Sequence, residues 1–286
     1  MSDVTFYFIR HGYSCSNLNR KKTNKMTWLA GDSHLTNWGI ISSIFAGEYL
    51  KNTFFNDISF DHMYCSPLIR TWETAACMFS DKYKEFIVAP HLAEIRNDNK
   101  KSYQYDINQK RYKEFVRFVT SDSDTSINYI IDNLDNNDII RKQIDNIKDF
   151  KILYKGKKYP KKYIETCDSG LENFINWFLK QNKTSKKQNV LIICHNKIMI
   201  NFLDKYYQYT YYKQNILKTN NFSFKVHVKN GIISHPTVYF LGIKNPIGHE
   251  DSIDIECSLC VTHKNCNKKD KKIHLKLIKN KEKYLF

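Results

Sequence analysis

The amino-acid sequence predicts an α/β protein, a three-layer α/β/α sandwich with a mostly parallel sheet and an inserted helical cap. Three observations carry that expectation. The runs at residues 5–9 and 190–194 are continuously apolar, β-branched or aromatic, as expected of strands buried on both faces. Stretches with helical spacing alternate with such runs, the order that builds parallel sheets covered on both sides. Each run also stops abruptly, at Arg10-His11-Gly12 and at His195-Asn196. Those ends fall on the carboxyl edge of the sheet, where open α/β folds bind ligands.

In chain order, Tyr13-Ser14-Cys15-Ser16-Asn17 is turn-like and leads into a polar surface loop. Thr36 or Asn37 can cap a helix with Ile40, Ile41, Ile44, Phe45 and Leu50 at helical spacing, placed to cover one face of the sheet. Residues 60–65 read as a second strand. Pro67 suits a first helical turn, which makes Ser66 a candidate cap and sets Arg70 about one turn inside the helix. A third strand at residues 85–90 precedes Glu94. From residue 97 to about 164, Asp, Asn, Lys and Tyr dominate, with short helical patterns at Tyr112, Phe115, Val116 and Val119 and at Ile127, Ile130, Ile131 and Leu134. That composition predicts an inserted helical cap with mobile loops. Ser169 and Glu172 have capping-box spacing ahead of an apolar stripe of Leu171, Phe174, Ile175, Phe178 and Leu179. Residues 190–194 then deliver His195 as an exposed imidazole, and Ile198, Met199, Phe202, Leu203 and Tyr206 continue as a helix. Residues 222–228 and 232–243, joined at Lys229-Asn230-Gly231, predict a β-hairpin. The whole, residues 1–286, reads as one domain with a basic C-terminal extension from about residue 245.

Composition narrows the functions. The 42% hydrophobic and 14% aromatic content suffices for a large core. A formal charge of +16 suggests a polyanionic partner, but Lys clusters such as Lys157-Lys158, Lys186-Lys187 and Lys268-Lys269 read as solvated faces. Lys and Asn are abundant together while Gly and Pro are scarce, the bias of a coding sequence rich in A and T. No nucleic-acid-binding motif accompanies the charge, so nucleic acid is not the expected partner. Asp3 near the start is unlike a basic leader, and no apolar run approaches the roughly 18 residues a membrane helix needs. A cytoplasmic location is expected. The eight cysteines lie mostly in apolar or helical contexts, such as Cys65, Cys77 and Cys194, as free thiols do in a reducing compartment.

The informative observation is a set: Arg10, His11, Arg70, Glu94 and His195, each just after a strand or early in the following helix. A parallel sheet gathers such positions along one edge, where two cations, two imidazoles and a carboxylate can surround one anion. That combination suits phosphoryl transfer. The residues resemble the histidine phosphatase superfamily, the phosphoglycerate-mutase-like clan, over roughly the first hundred residues and then from Asp168 to about Tyr206. Its R-H-G hallmark stands as Arg10-His11-Gly12, with Asn17 at the downstream Asn. Its L-T-x-x-G element is Leu35-Thr36-Asn37-Trp38-Gly39, and S-P-L-x-R-x-x-x-T-A is complete from Ser66 to Ala75. Glu94 matches the family's acid and His195 its second histidine.

The resemblance implies a histidine acid phosphatase-like phosphomonoesterase that works without metal or cofactor. In that scheme His11 attacks phosphorus to give a phosphohistidine, and Arg10, Arg70 and His195 neutralise the phosphoryl oxygens. Glu94 is general acid and then base, Gly12 lets the backbone approach the ligand, and Asn17 donates to the phosphate. The implied partner is a phosphorylated small molecule or phosphopeptide. No motif encodes an oligomeric state.

The chain departs from the family in three places. Asn196 and Lys197 follow the second histidine where a small residue is usual, and Tyr13-Ser14 replaces the frequent Glu-Thr. After Glu94 the chain reads Ile95-Arg96-Asn97-Asp98 in place of the mutases' E-R-H-Y-G-like run, which argues against a phosphoglycerate mutase. The first two departures leave a second reading open, a catalytically silent phospho-ligand-binding or scaffold protein. Cys257, Cys260, His263 and Cys266 invite a zinc site, but the usual longer loop between ligand pairs is missing, so free cysteines are the default.

Overall fold

The computed structural model describes residues 2–14, 16–17, 32–94, 109–120, 138–153, 170–183, 186–206 and 219–244. Ten strands are described: β1 (Asp3–Arg10), β2 (His62–Cys65), β3 (Glu85–Val88), β4 (Lys151–Leu153), β5 (Lys187–Cys194), β6 (Thr219–Asn220), β7 (Ser223–Lys229), β8 (Ile232–Ile233), β9 (Thr237–Phe240) and β10 (Ile243–Lys244). The helices are α1 (Asn37–Thr53), α2 (Ile69–Phe79), α3 (Gln109–Thr120), α4 (Asp138–Ile147), α5 (Leu171–Gln181) and α6 (Asn196–Tyr206). The main sheet runs in the order β4-β3-β2-β5-β1-β7-β8, with β9 also on β7. β1 to β5 are mutually parallel where they pair, and β7 turns antiparallel against β1.

The two-residue period of β1 divides its side chains between two cores. Tyr7 and Ile9 join the core shared with α1, α2, α3 and α4, while Val4, Phe6 and Phe8 join the core shared with α5 and α6. β5 splits the same way, Leu191 and Ile193 to the first and Val190, Ile192 and Cys194 to the second. This is the three-layer sandwich expected. Cys65, Cys77 and Cys194 are buried free thiols, and burial pushes the pKa of each well up. No helix among the described residues is long and apolar enough to cross a membrane.

Several local expectations are refined. Thr36, not Asn37, caps α1, its hydroxyl accepting from the Gly39 amide at 3.0 Å. Ser66 does not cap α2; Leu68 occupies the cap position, and Asp32 Oδ1 accepts from the Ile69 amide at 2.9 Å. The carboxylate suits a helix N-terminus, and it arrives from a segment far away in sequence. Within residues 97–164, the described parts form α3, α4 and the edge strand β4, which pairs with β3 and was hidden by a polar context. The late hairpin turns at Asn230 and Gly231, both with positive φ, as a two-residue hairpin turn requires. Its second arm is interrupted near Pro236 into β8 and β9. Ile127, Ile130, Ile131, Leu134, Ser169, and the extension with Cys257, Cys260, His263 and Cys266 lie outside the described residues.

Candidate active site

Hydrogen-bond register assembles the site. Arg10 at the end of β1 pairs with Cys194 at the end of the adjacent parallel β5, so His11 and His195 leave the sheet side by side. The His11 amide continues the ladder to the Cys194 carbonyl at 3.0 Å. On the other flank of β5, Cys65 pairs with Ile193, and the Ser66 amide bonds the Ile193 carbonyl at 3.1 Å. The two imidazole centroids stand 5.1 Å apart with ring planes inclined at 60°. Arg70, on the first turn of α2, spans them: its Nε donates to His11 Nε2 and its Nη2 lies against His195 Nδ1, both at 3.3 Å. Glu94 Oε2 is 3.7 Å from the same His195 Nδ1. Four of the five expected residues are thus directly linked, although they come from four separate segments.

Arg10 joins from the far side of β1. Its amide bonds the Phe222 carbonyl at 2.9 Å and its Nη1 donates to the Thr219 carbonyl, so the strand-end cation is tied to the short β6 segment. Its charge reaches both imidazoles. His11 is held well below its ordinary pKa by burial, by Arg70 and by Arg10, and His195 likewise by burial, Arg70, His11 and Arg10. The expected exposure of His195 is corrected: it is fully buried, and His11 is only 3% exposed. Arg70, Ser66 and Glu94 all lie against the two imidazoles at the strand ends.

Hydrogen bonding also sets the His11 tautomer. Nδ1 lies 2.7 Å from the Gly12 carbonyl, which only accepts, so Nδ1 carries the proton and Nε2 keeps its lone pair. That lone pair faces Arg70 Nε. The Gly12 amide donates to Thr74 Oγ1 at 2.9 Å, and Thr74 Oγ1 donates to the Arg70 carbonyl at 2.7 Å, which locks the loop to the helix carrying the arginine. Gly12 has a packing reason as well: a Cβ there would sit 2.3 Å from Ser43 Oγ and 2.9 Å from the Gly39 carbonyl oxygen on α1. Asn17 Oδ1 accepts from the Ser14 amide at 3.1 Å and from Ser14 Oγ at 2.9 Å, tying the loop after β1 into a turn.

Sequence reading missed a supporting shell. Ser66 Oγ lies 2.6 Å from His195 Nε2. Glu73, fully buried on α2, contacts His34 Nδ1 at 2.5 Å and accepts from the Leu35 amide at 2.7 Å, fastening the loop before α1 to the helix of Arg70. A glutamate within an otherwise apolar stretch (Trp72, Ala75, Ala76) was the available signal. Asn196 opens α6, with its Oδ1 buried and lacking a hydrogen-bond partner among the described residues.

Comparison with curated proteins returns no match. Among solved structures, phosphoglycerate mutase from Bacillus anthracis is 18% identical, with 83% of this chain and 93% of that chain covered and a TM-score of 0.46. Alpha-ribazole phosphatase from Shigella flexneri is 14% identical, covering 85% and 99%, with a TM-score of 0.42. A phosphoserine phosphatase mutant from Entamoeba histolytica in complex with phosphoserine is 18% identical, covering 82% and 94%, at 0.40. The model of the histidine phosphatase superfamily (branch 1) matches residues 6–135, a span that contains Arg10, His11, Arg70 and Glu94. Over that span, which takes in two of the strand ends at the site and the start of α2 but not His195, the chain is similar to the histidine phosphatase superfamily.

Proposed function

We propose that the protein hydrolyses phosphomonoesters through a phosphohistidine at His11, without metal. The observation that carries this reading is His11 itself, neutral, with Nε2 unprotonated and facing an arginine that also touches the second histidine. Nε2 attacks phosphorus while the bond to the leaving oxygen breaks, and Glu94 as a carboxylic acid protonates that oxygen. Arg10, Arg70 and His195 stabilise the charge spread over the remaining phosphoryl oxygens. The Glu94 carboxylate then takes a proton from water as its oxygen attacks phosphorus, the P–N bond breaks, and His11 returns neutral. Gly12 and Asn17 serve by shaping the loop that presents His11. Hydrolysis rather than mutase chemistry is supported by the run after Glu94, Ile95-Arg96-Asn97-Asp98. The substrate in this reading is a phosphorylated small molecule or phosphopeptide.

The test is turnover of an aryl phosphate by wild type and His11→Ala, with an alkaline quench to preserve phosphohistidine. The expected result is a loss on the order of 10⁴ or more in kcat in the variant, a trapped phosphoenzyme in wild type only, and inhibition by vanadate. Turnover that survives the substitution defeats the proposal. Phosphate binding with neither turnover nor phosphoenzyme identifies instead a silent pocket, the reading that Asn196 beside His195, with its buried Oδ1, favours.

A further inference from the structure

We propose that Asn221 is a positioning residue for Arg10: its left-handed backbone turns two carbonyls, those of Thr219 and Phe222, onto the guanidinium and the amide of that arginine. Asn221 has a φ of 60° and is fully buried, in the short bend between β6 and β7. L residues avoid that region because Cβ crowds the backbone, and asparagine is among the few besides glycine that visit it. Asn221 carries a second penalty, since its Oδ1 is buried with no hydrogen-bond partner among the described residues. A residue bearing both persists only where its surroundings hold it there.

The surroundings do hold it. Its Nδ2 donates to Ser43 Oγ on α1 at 3.3 Å, and its carbonyl accepts from Ser223 Oγ at 2.8 Å. Gly242, just before β10, backs the same bend: a Cβ there would lie 2.4 Å from the Asn220 carbonyl oxygen, 2.8 Å from the Phe222 nitrogen and 2.9 Å from Thr219 Oγ1. What the bend presents to β1 is a pair of acceptors. The Phe222 carbonyl takes the Arg10 amide at 2.9 Å, one step past the Ile9 and Ser223 pair of the β1–β7 ladder, and the Thr219 carbonyl takes Nη1. An extended residue at position 221 would carry the Thr219 carbonyl away from the guanidinium. Ser43 Oγ is also the atom that abuts Gly12, so one asparagine references Arg10 and the His11 loop to the same turn of α1. The placement of Arg10 stands on this geometry alone, whereas its consequence for turnover rests on the phosphoryl-transfer reading above.

The test is ¹H–¹⁵N correlation of guanidinium groups on the full chain labelled at arginine, with the Arg10 signals identified by their loss in Arg10→Lys. Unliganded wild type is expected to show Arg10 Nη signals that are protected from solvent exchange. Asn221→Ala adds no volume and removes the amide; in it those signals collapse toward free arginine, and affinity for inorganic phosphate falls about tenfold, the size of the left-handed penalty for an ordinary L residue. Asn221→Gly takes the same φ without cost, so it keeps the signals and holds phosphate within about twofold of wild type. In Arg10→Lys, adding Asn221→Ala changes phosphate affinity no further. Rapidly exchanging Arg10 signals in wild type overturn the inference, a result that needs no variant to fold. Unchanged signals in folded Asn221→Ala overturn it equally, as does a loss of signals in Asn221→Gly as large as in Asn221→Ala. The spectra need neither ligand nor turnover, so a protein that binds no phosphate or is inactive tells against the proposed function and not against the placement of Arg10.

Discussion

At the residue scale, the chemistry depends on which ring nitrogen carries hydrogen and on what faces the other one. For His11 the Gly12 carbonyl decides, and burial together with two arginines keeps the ring neutral. In the proposed mechanism Glu94 has a different task, because its proton matters most when the leaving group is a poor one. Replacing it (Glu94→Gln) should lower kcat/KM for an alkyl phosphomonoester by about 10² to 10⁴ and have a much smaller effect on the first step with an aryl phosphate. In the proposed mechanism dephosphorylation needs Glu94 as base in either case, so the variant should release a burst of phenolate and accumulate phosphohistidine. Rapid-quench kinetics reads both quantities, and equal losses on the two substrates with no burst would remove Glu94 from the proton-transfer role. The identities of His11, Arg70, Glu94 and His195 were legible in sequence because each follows a recognisable strand or helix start. Ser66 was legible only as a candidate cap, since its contact with His195 crosses 129 positions of chain.

At the element scale, α2 organises the candidate site. It carries Arg70 near its start, Glu73 and Thr74 one turn on, and the aromatic Trp72 that holds Ser66 in place. Asp32, His34 and Leu35 dock onto it from one side and Gly12 from another. The other contact of Gly12 is with α1, and Gly12→Ala brings a methyl group against backbone as well as against Ser43 Oγ. Forcing that group in should cost about 1–3 kcal/mol and push the His11 loop off α1. Chemical denaturation of the variant, with vanadate affinity measured alongside, should show both losses. A variant as stable as wild type would mean that α1 moves without penalty. Helix periodicity exposed α1, α5 and α6 in sequence through Ile40, Ile41 and Ile44, through Phe174 and Phe178, and through Met199 and Phe202. It did not reveal β4, because three residues in a polar context carry too little pattern to separate a strand from a loop.

At the scale of the whole molecule, burial of imidazoles makes folding sensitive to acid. His11 and His195 are held well below the ordinary histidine value, and burial against Trp177 pushes His91 down to about 4. Above about pH 6.5 these rings are neutral whether the chain is folded or not, and their contribution is complete. As pH falls below that value the unfolded chain takes up protons that the folded one refuses, so stability declines until the folded-state pKa is reached. Each ring adds a slope of at most about 1.4 kcal/mol per pH unit, and for His91 the window runs from about 6.5 down to about 4. Calorimetric Tm between pH 7 and 4.5 should fall, and should fall less steeply in His91→Gln. Parallel curves for the two proteins would show that His91 does not contribute.

The sequence by itself determined the class of fold and which residues make up the candidate site. Continuous apolar runs, helical spacing and strand ends occupied by Arg, His and Glu are local properties, readable within a dozen residues. Only the tertiary structure decided which strand ends stand next to one another, that Arg70 bridges two imidazoles separated by 184 positions along the chain, and that both rings are buried rather than exposed. The reason is that strand order and hydrogen-bond register are set by packing between distant segments. In this chain the neighbour of β1 is β5, and no short window of sequence contains both.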